Sequence, residues 1–163
     1  MALRILVLDD EPIVCKRLKP AFQKSGYEVE TFTDSAAALQ RMAEAADVCL
    51  RISAADNVKW RADRGALFTL LKNLLENAIQ HAPAKTVVSM DIQNDTVVVR
   101  DRGAGIDSAQ LPLLFERFWR AAHRRDHGAG LGLPICQEIA LAHGWTLSVL
   151  KADPGLIFRV SRT

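Results

Sequence analysis

The apolar positions of this chain predict strands and helices in alternation. After Arg4, residues 5–8 form a continuous apolar run that ends in Asp9, Asp10 and Glu11, a pattern typical of a buried parallel strand followed by an acidic loop. Apolar side chains then recur at helical spacing as far as a glycine that can end a helix, and residues 27–32 return to a strand pattern. The start of the chain therefore predicts a β-α-β unit.

The rest of the pattern predicts a mixed sheet covered by helices. The expected helices are residues 34–46, 65–81 and 131–143, and the expected strands are residues 48–52, 86–92, 96–100, 146–150 and 156–160. A polar turn at residues 93–95 indicates a hairpin, so part of the sheet is antiparallel. The predicted fold class is α/β, or an α+β sandwich, with a mixed β-sheet and helices packed on it.

Length and composition fit an ordinary globular protein. The chain has 163 residues, of which 49% are hydrophobic and 25% charged, and its net charge of +2 is too balanced for an electrostatic nucleic-acid or membrane-surface binder. Three cysteines without a C-x-x-C motif argue against a thiolate zinc site and fit a reducing cytosol, where we expect all three to be buried. No apolar segment predicts a signal peptide or a transmembrane helix, so we expect a cytoplasmic protein.

Three polar residues share one stripe of the predicted helix at residues 65–81. Asn73, Asn77 and His81 follow one another at intervals of four residues. Asparagine is unfavourable inside a helix, and its neutral amide oxygen can ligate Mg²⁺ beside phosphates without adding charge. Taken alone, a solvated polar face is the simpler explanation of the stripe.

A first glycine motif follows the predicted strand at residues 96–100. Asp101 stands where that strand ends, and Gly103 and Gly105 come directly behind it. A carboxylate there can accept an N–H donor, and the bare backbone lets a flat ring approach. A tight turn is the alternative explanation of this motif.

A second glycine motif leads into the predicted helix at residues 131–143. Gly128, Gly130 and Gly132 leave backbone N–H groups and the positive end of the helix dipole accessible to phosphate oxygens, although a flexible loop is the alternative. The spacing matches neither the dinucleotide-binding motif nor the P-loop. Arg120, in the polar loop before the motif, is a candidate phosphate partner because its guanidinium matches phosphate oxygens.

In this order the motifs strongly resemble the ATP-binding catalytic domain of bacterial sensor histidine kinases, in the superfamily shared with type II topoisomerases and mismatch-repair ATPases. Residues 73–77 match its N box, residues 101–105 its G1 box, residues 115–118 its F box and residues 128–133 its G2 box. The resemblance extends from about residue 48 to the C-terminus. It implies the histidine-kinase-type ATP-binding fold, with ATP and Mg²⁺ as ligands.

The resemblance also implies a role for individual residues at the base and the metal. Asn77 would ligate Mg²⁺, and Asp101 would accept the adenine amino group. Gly103 and Gly105 would admit the base, with His81 packed near it.

At the phosphate end, the resemblance implies that Asn73 lines the site and that Arg120 contacts the phosphates. A mobile lid over the triphosphate would be bounded by the G2 box, with Gly128, Gly130, Leu131, Gly132 and Leu133. Hydrolytic members of the superfamily have a Glu at the position of Asn73, and Asn cannot act as a general base. The implied activity is therefore that of a kinase and not of an efficient ATPase.

The first 46 residues resemble half of a response-regulator receiver domain. Asp9 and Asp10 would hold Mg²⁺ in an intact receiver, but Ile52 stands where the phosphoacceptor Asp is expected. This resemblance implies a natural or engineered chimera with a flavodoxin-like βαβ extension. Its parts would be residues 1–46, a half-receiver without a phosphorylation site, and residues 47–163, the ATP-binding domain, joined in one core.

None of the four histidines stands in the sequence context of a phosphoacceptor histidine. The expected function is therefore transfer of the γ-phosphate of Mg·ATP to a histidine supplied in trans by a dimerisation domain. The alternative is a chimeric scaffold that binds nucleotide, or nothing, without phosphotransfer.

Overall fold

A computed structural model of the protein describes residues 4–7, 28–31, 33–56, 58–119 and 130–162. The chain divides into two compact units, residues 1–42 and residues 43–163. In the first unit, strand β1 (Arg4–Val7) pairs in parallel with strand β2 (Glu28–Thr31). This parallel pair confirms both predicted strands, while the helix predicted between them lies outside the described residues.

Helix α1 (Thr33–Ala45) follows β2, one residue earlier than predicted at each end. The five strands of the second unit are β3 (Cys49–Ala54), β4 (Val87–Ile92), β5 (Thr96–Arg100), β6 (Trp145–Lys151) and β7 (Leu156–Arg162). They form one sheet in the order β3-β4-β5-β7-β6. Because β3 and β4 are parallel and the other pairs are antiparallel, the predicted mixed sheet is confirmed.

Helices α2 (Arg64–His81) and α3 (Gly132–Ala142) cover one face of this sheet. The core between helices and sheet is apolar and fully buried, with Leu70, Leu74 and Ile79 from α2 and Val88, Met90, Val99 and Phe158 from the sheet. Two short 3₁₀ helices, Ser108–Gln110 and Pro112–Phe115, lie between β5 and α3. No helix among the described residues is long and apolar enough to cross a membrane.

Strand ends differ from the prediction by up to two residues because pairing sets them. β3 continues to Ala54, which lies opposite Ile92 at the end of β4. Likewise β7 continues to Arg162, opposite Trp145 at the start of β6. The apolar pattern of the sequence ends before these positions, but the backbone hydrogen bonds between the strands continue.

The prediction that all cysteines are buried is wrong for Cys49. This residue lies on the edge strand β3 and is exposed, because its side chain points away from the helices. Cys136, on α3, is buried as predicted. Cys15 lies outside the described residues.

Candidate functional site

The polar stripe of α2 lies on an otherwise buried helix. Asp63 caps its start, where the carboxylate accepts a hydrogen bond from the backbone N–H of Ala66 at 2.8 Å. Asn73, Asn77 and His81 are only partly buried, next to the fully buried core positions. At about 1.5 Å of rise per residue, the stripe extends about 12 Å along the helix.

The N-terminal end of the stripe meets the start of α3. The side-chain amide of Asn73 donates a hydrogen bond to the carbonyl oxygen of Gly132 at 3.4 Å. A Cβ on Gly132 would lie 3.7 Å from Cγ of Asn73, so these residues are in close contact. Leu131 stands at the N-cap, and Leu133 is buried beneath the first turn. The structure therefore brings the N box and the G2 box together.

Asn77 occupies the middle of the stripe. Its Nδ2 atom is buried and makes no hydrogen bond. A buried amide without a partner is unfavourable by about 1–3 kcal/mol, so a group that satisfies this amide would stabilise the site. The unpaired amide of Asn77 is therefore a position where a bound ligand would gain a contact.

The C-terminal end of the stripe meets the loop after β5. A Cβ on Gly103 would lie 2.5 Å from the backbone carbonyl oxygen of His81, too close for any side chain. Gly105 has a φ of +68°, the left-handed conformation that glycine adopts without strain. Both glycines are thus required by the local backbone, and the G1 box packs directly on the end of α2.

Asp101 is the buried charged residue of this loop, with 2% of its surface exposed. Its Oδ1 accepts hydrogen bonds from the backbone N–H groups of Gly103 at 2.7 Å and Leu156 at 3.3 Å. The backbone N–H of Asp101 donates to the carbonyl of Leu156 at 3.1 Å, which extends the pairing of β5 with β7 by one residue. These bonds hold the carboxylate in one orientation.

Gly155 supports Asp101, although it belongs to none of the four sequence motifs. Its φ is +101°, and a Cβ there would lie 2.2 Å from the backbone carbonyl oxygen of Asp101. The Asp153-Pro154-Gly155 turn between β6 and β7 is a visible turn signal. Only the pairing of β5 with β7 shows that this turn packs against Asp101.

The segment before α3 is joined to the F box by backbone contacts. The N–H of Phe118 donates to the carbonyl oxygen of Gly130 at 3.1 Å, and both residues have positive φ, at +64° and +68°. Phe118 is 70% exposed, whereas Leu114, next to the F box, is buried. Arg120 and Gly128 lie outside the described residues.

A buried thiol lies under the N-terminal end of the stripe. Cys136 donates a hydrogen bond to the carbonyl oxygen of Leu70 at 3.5 Å and is fully buried. Burial raises the pKa of the Cys136 thiol to about 12, although a hydrogen bond with the Asn73 side chain works in the opposite direction. The thiol is therefore neutral at physiological pH.

The site thus comprises the stripe of α2, with the start of α3 at one end and the Asp101 loop at the other. A family model for histidine kinase-, DNA gyrase B- and HSP90-like ATPases matches residues 62–162. The chain belongs to this family of ATPase domains. Family membership confirms the histidine-kinase resemblance of the second unit, whereas the receiver resemblance of residues 1–46 stays a prediction.

Known sensor kinases are similar to this chain. The sensor protein QseC of Escherichia coli K12 is 36% identical over 109 residues, which cover 67% of this chain and 24% of QseC. The sensor-like histidine kinase SenX3 of Mycobacterium tuberculosis H37Rv is 35% identical over 130 residues, which cover 75% of this chain and 32% of SenX3.

Among solved structures, a mycobacterial sensor histidine kinase, MprB, is 28% identical with a TM-score of 0.62. The match covers 76% of this chain and 89% of the MprB chain. The chain therefore spans about a quarter to a third of the two curated relatives, but most of this solved kinase chain.

Proposed function

We propose that this chain is the ATP-binding catalytic module of a two-component sensor histidine kinase. The observation that supports this most is the placement of one polar stripe between a glycine-rich helix start and a buried carboxylate. An elongated ligand with an anionic end and a hydrogen-bonding base would match both ends. Mg·ATP has this chemistry.

At the base end, Asp101 would accept the exocyclic amino group of adenine. Oδ1 of Asp101 already accepts hydrogen bonds from the backbone N–H groups of Gly103 and Leu156, which hold the carboxylate in place. Gly103 and Gly105 keep side chains out of the loop, and His81 would flank the ring. Because the carboxylate is already oriented, binding the base requires little further ordering.

At the phosphate end, the free N–H groups at the start of α3 would face the phosphates, with Gly130, Leu131, Gly132 and Leu133 around them. Asn73 would line this end beside Gly132, which it already contacts. Arg120 and Gly128 would act from the segment outside the described residues. Their roles follow from the family resemblance.

Asn77 would hold Mg²⁺. Its buried amide has no hydrogen bond at Nδ2, so the side chain is available to reorient and present its oxygen to a hard cation. Mg²⁺ when bound would neutralise charge on the transferring phosphoryl group. The residues of this chain would position ATP and leave the acceptor histidine to a phosphoacceptor dimerisation domain in trans.

The division of the chain is a second part of this proposal. We propose that residues 1–46 derive from half of a receiver domain and that residues 47–163 form the ATP-binding domain of a chimera. The parallel pairing of β1 with β2 supports a βαβ unit at the start of the chain. If phosphotransfer fails although the fold is intact, the chain would be a nucleotide-binding scaffold.

Calorimetric titration of ATP with Mg²⁺ tests the pocket. Asp101→Asn keeps the size of the side chain but removes its charge and replaces one acceptor oxygen with a donor group. We expect at least a tenfold loss of ATP affinity, equivalent to about 1.4 kcal/mol. Asp56→Asn, at an exposed position, is the matched control and should bind like the parent. Equal affinities of all three proteins would contradict the proposed pocket.

Phosphotransfer is tested separately with labelled ATP and an added phosphoacceptor helix. Label on the histidine of that helix would support the kinase proposal. A parent that binds ATP but transfers no label to any such helix would support the scaffold alternative.

A further inference from the structure

The second unit has a sheet face that the helices do not cover. It is called the open face here and comprises the outward positions of β3 to β7. Strand register places Arg51, Ser89, Arg100, Ile157 and Leu150 in one row across this face. The opposite face holds the buried residues Val88, Met90, Val99 and Phe158.

Three arginines lie on the open face, one each on the edge strand β3, the central strand β5 and its neighbour β7. Arg51 and Arg100 lie on either side of Ser89, two strand spacings or about 10 Å apart. Arg159 lies opposite Val98 and is therefore the diagonal neighbour of Arg100, at about 7–8 Å. Three guanidinium groups thus occupy one patch, although the net charge of the whole chain is only +2.

One acidic side chain, Asp91, lies within the patch, as the diagonal neighbour of both Arg51 and Arg100. Among the described strand positions of the open face, Asp91 is the acidic residue, and its carboxylate accepts a hydrogen bond from the hydroxyl of Ser53. The ion pairs formed between described side chains involve Lys72 with Glu76 and Arg162 with Asp95, not these arginines. With three arginines and one aspartate, the patch keeps a net positive charge.

Arg100 is the informative member of this patch. Its Nε atom is buried and makes no hydrogen bond. A buried N–H of a charged group without an acceptor is unfavourable, and an acceptor brought by a ligand would remove that penalty. Arg51 and Arg159, by contrast, are exposed and can remain solvated until a partner approaches.

The surroundings of the arginines favour a protein over a nucleic acid. Val98, Ile157 and the exposed Leu150 provide apolar contact area beside the guanidinium groups. The described strand positions of the open face include no aromatic side chain on which bases stack in single-strand binders. Guanidinium groups pair well with carboxylates, which protein surfaces supply.

We propose that the open face docks an acidic segment of a partner protein, with carboxylates on Arg51, Arg100 and Arg159. Because α2 and α3 lie on the other face, a partner bound here leaves the proposed nucleotide site accessible. This inference is independent of the proposed ATP pocket. It requires only the sheet and its charge distribution.

The test uses the full chain and a fluorescein-labelled oligoglutamate peptide, followed by fluorescence anisotropy. Arg51→Glu and Arg159→Glu are each expected to weaken binding at least fivefold and to leave ATP affinity unchanged. Arg61→Glu is exposed, lies outside the open face and changes the net charge equally, so we expect less than a twofold effect. In ¹⁵N-labelled protein, the Nε–H resonance of Arg100 should shift as the peptide is added.

Three results would overturn the proposal. One is the absence of oligoglutamate binding. Another is an equal loss of peptide affinity in Arg61→Glu and Arg159→Glu, which would mean that only the net charge of the chain matters. The third is that single-stranded oligothymidine binds more tightly than oligoglutamate and that the same arginine variants abolish oligothymidine binding. That result would assign the open face to nucleic acid. Oligoglutamine serves as the uncharged control peptide.

Discussion

Gly103 and Gly155 are required where they are because of backbone contacts with their neighbours. Gly103 lies against the carbonyl of His81, and Gly155 lies against the carbonyl of Asp101. Asp101 is thus held between two glycines and receives two backbone N–H bonds. At the scale of single residues, the site depends as much on glycines, which have no side chain, as on the Asp101 carboxylate.

Replacement of Gly103 by alanine should destabilise the fold. The new Cβ would lie 2.5 Å from the His81 carbonyl oxygen, and neither backbone segment can move without disturbing the loop or α2. We expect a loss of about 1–3 kcal/mol in the free energy of unfolding, measured by urea denaturation. Gly65→Ala is the control, because its Cβ would meet its nearest atom at 3.5 Å and alanine favours the helix by about 0.5–1 kcal/mol. Equal stability of Gly103→Ala and the parent would contradict this packing.

Cys136 should make stability depend on alkaline pH. The pKa of the folded thiol, about 12, lies above the ordinary value of 9.0, so between these values the unfolded chain binds fewer protons than the folded chain. The contribution of the buried thiol to stability is therefore complete below pH 9 and is lost as pH rises towards 12, by at most about 1.4 kcal/mol per pH unit.

Comparison with Cys136→Ala isolates this contribution from other groups that titrate at high pH. The variant is less stable at every pH because of the cavity, but its stability should fall less steeply from pH 9 to 10.5. Urea denaturation at several pH values provides the measurement. Identical slopes for parent and variant would mean that the thiol ionises with similar ease in both states.

At the scale of elements, α2 is anchored at its N-terminal end. Its cap residue, Asp63, donates its backbone N–H to Nε2 of His143 at 3.1 Å, while His143 stacks on Trp145 at 4.5 Å. Trp60 contacts Trp145 edge-on at 4.9 Å and donates to the carbonyl of Gln93 at 2.9 Å. These contacts attach the segment before α2 to the sheet and so fix where the polar stripe begins.

The Arg162 side chain should contribute more to the stability of this attachment than its ion pair with Asp95 contributes alone. Its guanidinium donates to the carbonyl of Lys59 at 3.0 Å, lies 5.2 Å from the ring centre of Trp60 and pairs with Asp95 at 3.0 Å. Since the Asp95 side chain is 79% exposed, Asp95→Asn should cost less than about 1 kcal/mol. Arg162→Met should cost about 1–2 kcal/mol, because the hydrogen bond and the cation–π contact are also lost. Equal losses in thermal or urea denaturation would assign the whole effect to the ion pair.

At the scale of the whole molecule, the question is whether the two compact units unfold together. Trp60, Trp119 and Trp145 all lie in residues 43–163, and the single tyrosine, Tyr27, lies in residues 1–42. A segment of about 40 residues rarely folds without further stabilisation. We therefore expect one cooperative transition, with tryptophan fluorescence and far-UV circular dichroism changing at the same urea concentration. Dichroism that falls before the fluorescence changes would contradict a common core.

The fold was largely predictable because periodicity along the chain reflects burial. The stripe of α2 and the mixed sheet follow from apolar spacing and turn residues, and four ordered motifs indicated the ATPase family that residues 62–162 confirm. The exposure of Cys49 and Phe118 was not predictable, since a residue type does not show which face of an edge strand or turn it occupies.

The sequence by itself determined the type and order of the described strands and helices of the second unit and the motifs that indicate the ATPase family, because these depend on local spacing and residue chemistry. Only the tertiary structure decided that Gly155 supports Asp101, that Asn73 contacts Gly132, and that Arg51, Arg100 and Arg159 meet on one face. Each of these juxtapositions joins residues distant along the chain. They depend on strand order and register, which local patterns leave open.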